Sequence, residues 1–147
     1  MEKEFRITID APREKVWATL WTDETYRQWT MPFDEGSRVE TDWKKGSKVL
    51  FLGRNNSGMV SSIADNRPNE YMSFQHRGIV NKGVEDVDSE EAKKWATTSE
   101  EYTLNTVDRG TELIVQLHGE IPPDFVDYFL RVWPKALEKL KEIAEKN

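Results

Sequence analysis

Apolar and polar residues alternate from the beginning of the chain. Phe5, Ile7 and Ile9 stand against Arg6, Thr8 and Asp10, the pattern of a strand with one buried face. Pro12 suits the first position of a helix, where its missing N–H is not needed, and Val16, Trp17 and Leu20 follow at helical spacing with Trp21 beside them. Thr22 is a candidate N-cap for a second short helix, which has Asp23 and Glu24 in its first turn and Tyr26 and Trp29 on one face. Pro32 and Gly36 close that helix. From there to Glu120 period two prevails. Strands are predicted over about 38–42, 48–54, 58–66 and 70–77, separated by Lys45-Gly46, Asn55-Asn56-Ser57-Gly58 and Arg67-Pro68-Asn69.

Two further stretches, about 99–107 and 111–118, predict a hairpin with a two-residue turn at Arg109-Gly110. That register pairs Thr106 with Leu113, Leu104 with Val115 and Tyr102 with Leu117, and a slip of one residue would scramble the two faces. The chain closes with an amphipathic helix over 123–147, whose stripe runs through Phe125, Phe129, Trp133, Leu137 and Leu140. Pro134 interrupts its hydrogen-bond ladder, so a kink or a break is expected there. Between Arg77 and Ser99 lies an insert. Asp88 to Glu91 reads as a capping box, which predicts a short helix over about 89–97 with Trp95 as its one large apolar group. The elements together describe an α+β fold: a curved antiparallel sheet of about six to seven strands wrapped around a long C-terminal helix, with two short helices after the first strand. The whole chain, 1–147, reads as a single domain.

Charge and composition narrow the function. The net charge of −6 excludes the basic footprint that nonspecific nucleic-acid binding needs. Much of the excess lies in 81–101, where seven acids face three lysines for a net of −4. The acidic residues 85–91 are a candidate surface for a protein partner, set against the simpler reading of a solvated run. No apolar run is long enough to span a bilayer. Met1-Glu-Lys-Glu carries two acids and no apolar stretch, so no secretory signal is expected. The chain has no cysteine, which removes thiolate chemistry and suits a cytoplasmic location. His76 and His118 share no metal-type spacing, and no motif for a phosphate, a metal, a cofactor or a serine nucleophile is present.

Several of these residues carry a resemblance. Residues 9–20, Ile-Asp-Ala-Pro-Arg-Glu-Lys-Val-Trp-Ala-Thr-Leu, and Trp29 are one set. Asp42-Trp-Lys-Lys-Gly-Ser-Lys48, residues 110–119 and Val132-Trp-Pro-Lys-Ala-Leu-Glu-Lys-Leu-Lys141 are the others. Across its length the chain resembles the activator-of-heat-shock-chaperone-ATPase homologues of the START-like (SRPBCC) superfamily, whose helix-grip fold is shared with the birch-pollen allergen. The resemblance implies fold, since that superfamily holds lipid carriers, cyclases, receptors and co-chaperones. The eukaryotic co-chaperone has a separate chaperone-binding domain that these residues do not match, and the acidic insert exceeds the family's usual connection.

A bent sheet closed by one helix commonly leaves a cavity, and an apolar cavity with a few polar groups is the usual ligand site. The candidate lining comprises Phe51, Met72, Phe74, His76 and Tyr102 on one side of the sheet's inner face. Leu104 and Val115 join them there, and Phe125, Phe129 and Trp133 come from the last helix. Trp95 would act as a lid. His76 follows Met72 and Phe74 at period two and so points inward, whereas His118 falls on the outer face and reads as surface. With Tyr102 and Ser61, His76 supplies the polar groups. Trp17 and Trp21 are assigned to anchoring the first helix. The leading expectation is a binding domain for a small hydrophobic or lipid-like molecule, with no catalytic residue assigned. A chaperone-modulating interaction domain and a cyclase- or hydrolase-type enzyme using His76 as base and Tyr102 as donor are the alternatives.

Overall fold

The structure, a computed structural model, describes residues 2–146. Strand β1 (Lys3–Ile9) leads into helices α1 (Arg13–Trp21) and α2 (Asp23–Trp29). Then come β2 (Arg38–Glu40), β3 (Lys48–Leu52), β4 (Gly58–Arg67) and β5 (Tyr71–Asn81). The insert holds β6 (Val84–Asp86) and α3 (Glu90–Trp95), and β7 (Ser99–Val107), β8 (Gly110–His118) and α4 (Pro123–Glu145) complete the chain. The sheet has eight strands in the order β1-β8-β7-β5-β4-β3-β2, with β6 beside β5, and the pairings are antiparallel. This is the helix-grip arrangement. The strand beyond the expected seven is β6, which arises because β5 runs four residues past Arg77 and turns back at Lys82-Gly83, both at positive φ. Gly78 permits the return: a Cβ there would lie 2.2 Å from the carbonyl oxygen of Asp86.

The β7–β8 hairpin keeps the predicted faces but not the predicted pairs. Thr106 pairs with Thr111, Leu104 with Leu113 and Tyr102 with Val115, two residues from the expected register, and the turn is Asp108-Arg109. Alternation fixes only the parity of the register, so a slip of two leaves every side chain on its face. Gly110 decides between the two. It is the first residue of β8 rather than a turn residue, because β1 ends against it: a Cβ at Gly110 would lie 2.2 Å from the carbonyl oxygen of Ile9.

Helix α4 is not broken at Pro134; it continues from Pro123 to Glu145. Pro134 faces solvent, and Leu130, whose carbonyl loses the N–H it would have accepted, is 45% exposed, so water can satisfy that oxygen. The two halves of this helix differ in burial. From Val132 onward, Val132, Trp133, Ala136, Leu137, Leu140 and Ala144 are buried, whereas no residue from Pro123 to Arg131 is. The C-terminal half packs on the sheet and is tied down there, since Lys141 Nζ donates to the Thr8 carbonyl at 3.0 Å and the Asp10 N–H donates to Glu145 at 2.8 Å. The N-terminal half stands off the sheet.

Candidate functional site

A cavity of about 590 Å³ lies under that N-terminal half of α4. The sheet supplies Phe51 from β3, His76 from β5, and Glu100 and Tyr102 from β7, while Tyr26 and Trp29 come from α2. Phe129 and Trp133 form the α4 wall, and Trp95 and Phe125 close one end. Their rings interlock: Trp95 stands edge-on to Phe125 at 5.0 Å, and Trp133 meets Phe33 at 5.0 Å. The Tyr128 hydroxyl donates to the Phe33 carbonyl at 2.7 Å, which ties α4 to the segment after α2.

Seven of the expected residues therefore share this space: Phe51, His76, Tyr102, Trp95, Phe125, Phe129 and Trp133. Four do not. Met72, Phe74, Leu104 and Val115 are buried in the packed core beyond the cavity's edge. For Phe74 the cause is α1, whose Trp21 enters the gap between sheet and helix. It meets Tyr102 at 4.8 Å, Phe74 at 5.5 Å and Trp43 at 5.3 Å, and so fills the space over Phe74. Trp21 is thus an anchor, as expected, and also the stopper that sets how far the cavity reaches. Phe125 is lining on one side only, being 40% exposed.

The floor of the cavity is polar. The Ser61 hydroxyl lies 2.6 Å from His76 Nδ1, and both residues are buried. His76 Nε2 is 3.7 Å from Oε2 of Glu100, and the Tyr102 hydroxyl donates to Oε1 of the same carboxylate at 3.1 Å. Burial pushes the Tyr102 phenol well above its usual range, with the Glu100 charge adding to the effect. Tyr26 moves in the same direction for the same two reasons. Both phenols stay protonated, and Tyr102 acts as a donor to Glu100. By composition Glu100 belongs to the acidic run, which does not single it out as a site residue. The parity of β7 places it on the inner face, two residues before Tyr102, and that signal was available.

This floor does not have the form of a nucleophilic centre. Ser61 is 1% exposed and sits behind His76 rather than in the cavity wall, so its hydroxyl orients the imidazole. Among the described residues no group of three or more His, Asp or Glu is placed to hold a metal ion. His118 is on the outer face of β8 and also borders the cavity, so it is not idle surface. Its Nε2 bonds to Glu101 at 2.9 Å and its Nδ1 to Glu2. Two of the acids of 85–91 are committed to local structure. Glu85 pairs with Lys48 at 3.0 Å, and Asp86 accepts the N–H groups of Asp88 and Ser89. Ser89, not Asp88, caps α3 by accepting from Ala92, and Glu90 and Glu91 occupy that helix's first turn, where carboxylates are favoured.

A sequence model of the family described as "Activator of Hsp90 ATPase homolog 1-like protein" matches residues 10–145, nearly the whole chain. The chain belongs to this family. Among solved structures it is similar to the Aha1 dimer from Colwellia psychrerythraea, with a TM-score of 0.76 and 21% identity over 99% of this chain and 96% of that one. A protein from Mesorhizobium loti gives 0.72 and 18%, covering 97% and 96%, and one from Chromobacterium violaceum gives 0.67 and 19%, covering 99% of each. At these identities the likeness is one of fold. No curated protein matched the chain in sequence. Membership of the Hsp90-ATPase-activator-homologue family agrees in general terms with a ligand-binding or chaperone-related domain. No helix among the described residues is long and apolar enough to cross a membrane.

Proposed function

We propose that this domain binds a small hydrophobic, lipid-like molecule in the cavity between the sheet and the N-terminal half of α4. One observation carries the reading: α4 is buried along its C-terminal half and stands off the sheet along its N-terminal half, over about 590 Å³ walled by aromatic rings. Space of this size between well-packed elements is uncommon in a filled core and usual in a ligand site. Affinity would come from removing apolar ligand surface from water, at roughly 25 cal/mol per Å², less the cost of ordering the ligand. Phe51, Phe129 and Trp133 would hold the apolar body, and His76, Glu100 and Tyr102 its polar end. Trp95 on Phe125 would serve as the lid. A reducing cytoplasmic setting suits a chain without cysteine.

Thermal unfolding with a panel of medium-chain lipids tests this. A ligand at about 100 times its Kd adds roughly 2.7 kcal/mol, and for a domain of this size that raises Tm by roughly 5 to 10 °C. Phe129→Ala should remove most of that rise. If no lipid raises Tm, or if Phe129→Ala leaves the rise intact, the cavity is not the binding site.

A further inference from the structure

Three carboxylates line the cavity, Asp34, Glu91 and Glu100, together with the histidines His76 and His118, and no lysine or arginine does among the described residues. Asp34 is already occupied, because Arg54 Nε lies 3.3 Å from it and it accepts the Gly36 N–H. Glu91 stands at the rim in exposed α3. Glu100 is different. Its side chain is only 15% exposed, and its Oε1 takes the Tyr102 hydroxyl. Its Oε2 faces His76 Nε2 at 3.7 Å, beyond hydrogen-bond range, and accepts no hydrogen bond among the described residues. A carboxylate oxygen held inside an aromatic-walled cavity with spare acceptor capacity calls for a donor from the ligand. The aromatic faces favour the same sign of charge, since ring quadrupoles attract cations and repel anions.

We infer that the cavity selects a cationic amphiphile, an amine with an apolar body, whose ammonium donates to Oε2 of Glu100 while its body lies against Phe51, Phe129 and Trp133. The inference rests on the hydrophobic-binding reading above and adds the charge of the ligand's head. A fatty acid would place a second carboxylate beside Glu100, with the His76 imidazole already shared with Glu100 and no lysine or arginine to offset it, which disfavours the anion in a poorly solvated space. A neutral alcohol could donate one hydrogen bond without the charge.

The test compares three probes with one chain and three heads: octylamine, octanol and octanoate, titrated at about pH 8, where an alkylamine is still protonated. Binding is read by isothermal titration at moderate salt, so that the overall −6 charge of the chain is screened. Octylamine should bind at least about tenfold more tightly than octanol, and octanoate most weakly, because a charge-assisted hydrogen bond is roughly twice as strong as a neutral one. Glu100→Gln, which keeps an acceptor for Tyr102, should abolish the preference for the amine. Asp108→Asn, the same change of net charge in the β7–β8 turn, should retain it. Equal binding of amine and octanoate overturns the inference and leaves the hydrophobic reading standing. A preference that survives Glu100→Gln assigns the selectivity to general surface charge and also overturns it. Failure of all three probes to bind overturns both.

Discussion

On the outer face of β8, His118 sits between two carboxylates, Glu101 on β7 and Glu2 ahead of β1. The hydrogen bond to Glu101 raises the His118 pKa above its ordinary value, against a smaller opposing effect of burial, and Glu2 adds to the rise. Glu101 is shifted down, first by the Tyr71 hydroxyl and then by His118. A histidine whose folded pKa is raised contributes stability that is fully present below about pH 6.5 and is lost as pH climbs through the folded value. For Glu101 the sense is opposite: its contribution is present at neutral pH and is lost as the solution becomes acidic. His118→Gln should therefore lower Tm more at pH 6 than at pH 9, by an amount equivalent to about 1 kcal/mol or less, the range of partly exposed pairs. A penalty that grows with pH would show the clamp to be misassigned. The predicted hairpin already set Glu101 near His118, and only Glu2 required knowing that β1 pairs with β8. Glu100 was within reach of sequence reasoning and Trp21's second role was not. Parity alone places Glu100 inward, but nothing in the spacing of α1 says that its last tryptophan closes off one end of the cavity.

At the scale of elements, legibility followed periodicity. Strands, both short helices and the final helix were readable because alternation and helical spacing report burial directly. Parity left the β7–β8 register free to slip by two, and the residue that settled it, Gly110, answers to a contact with β1 rather than to its own turn. Pro134 does not break α4 for a related reason, since it stands on the exposed side of the helix, where water reaches the freed carbonyl of Leu130. Helix α3 is a short element held by the Ser89 cap and by Trp95. Trp95 is buried, yet its ring partners Phe125 and Phe129 lie on the half of α4 that has no buried residue. Elements with few buried contacts open at low free energy. Amide exchange in α3 and the first turns of α4 should be faster than in β5 and β7, and an occupied cavity should slow it selectively. Ligand-induced protection confined to the sheet, with α3 and α4 unaffected, would remove Trp95 from the role of lid.

For the whole molecule, the central relationship is between a sheet that curves and a helix that grips it at one end. The C-terminal half of α4, locked by Lys141 and Glu145 to the end of β1, fixes the angle at which the other half leaves the sheet. Trp21 fills one side of the resulting gap, and the remainder is the cavity. The six tryptophans divide along the same line: Trp29, Trp95 and Trp133 line the cavity, and Trp17, Trp21 and Trp43 do not. Their indole N–H resonances are six separate reporters in one nitrogen-edited proton spectrum, which makes the decisive experiment a single titration with octylamine. The account predicts that the signals of Trp29, Trp95 and Trp133 move together and saturate, while those of Trp17, Trp21 and Trp43 hold nearly still. Movement confined to the second set, or no saturable movement in the first, would contradict it.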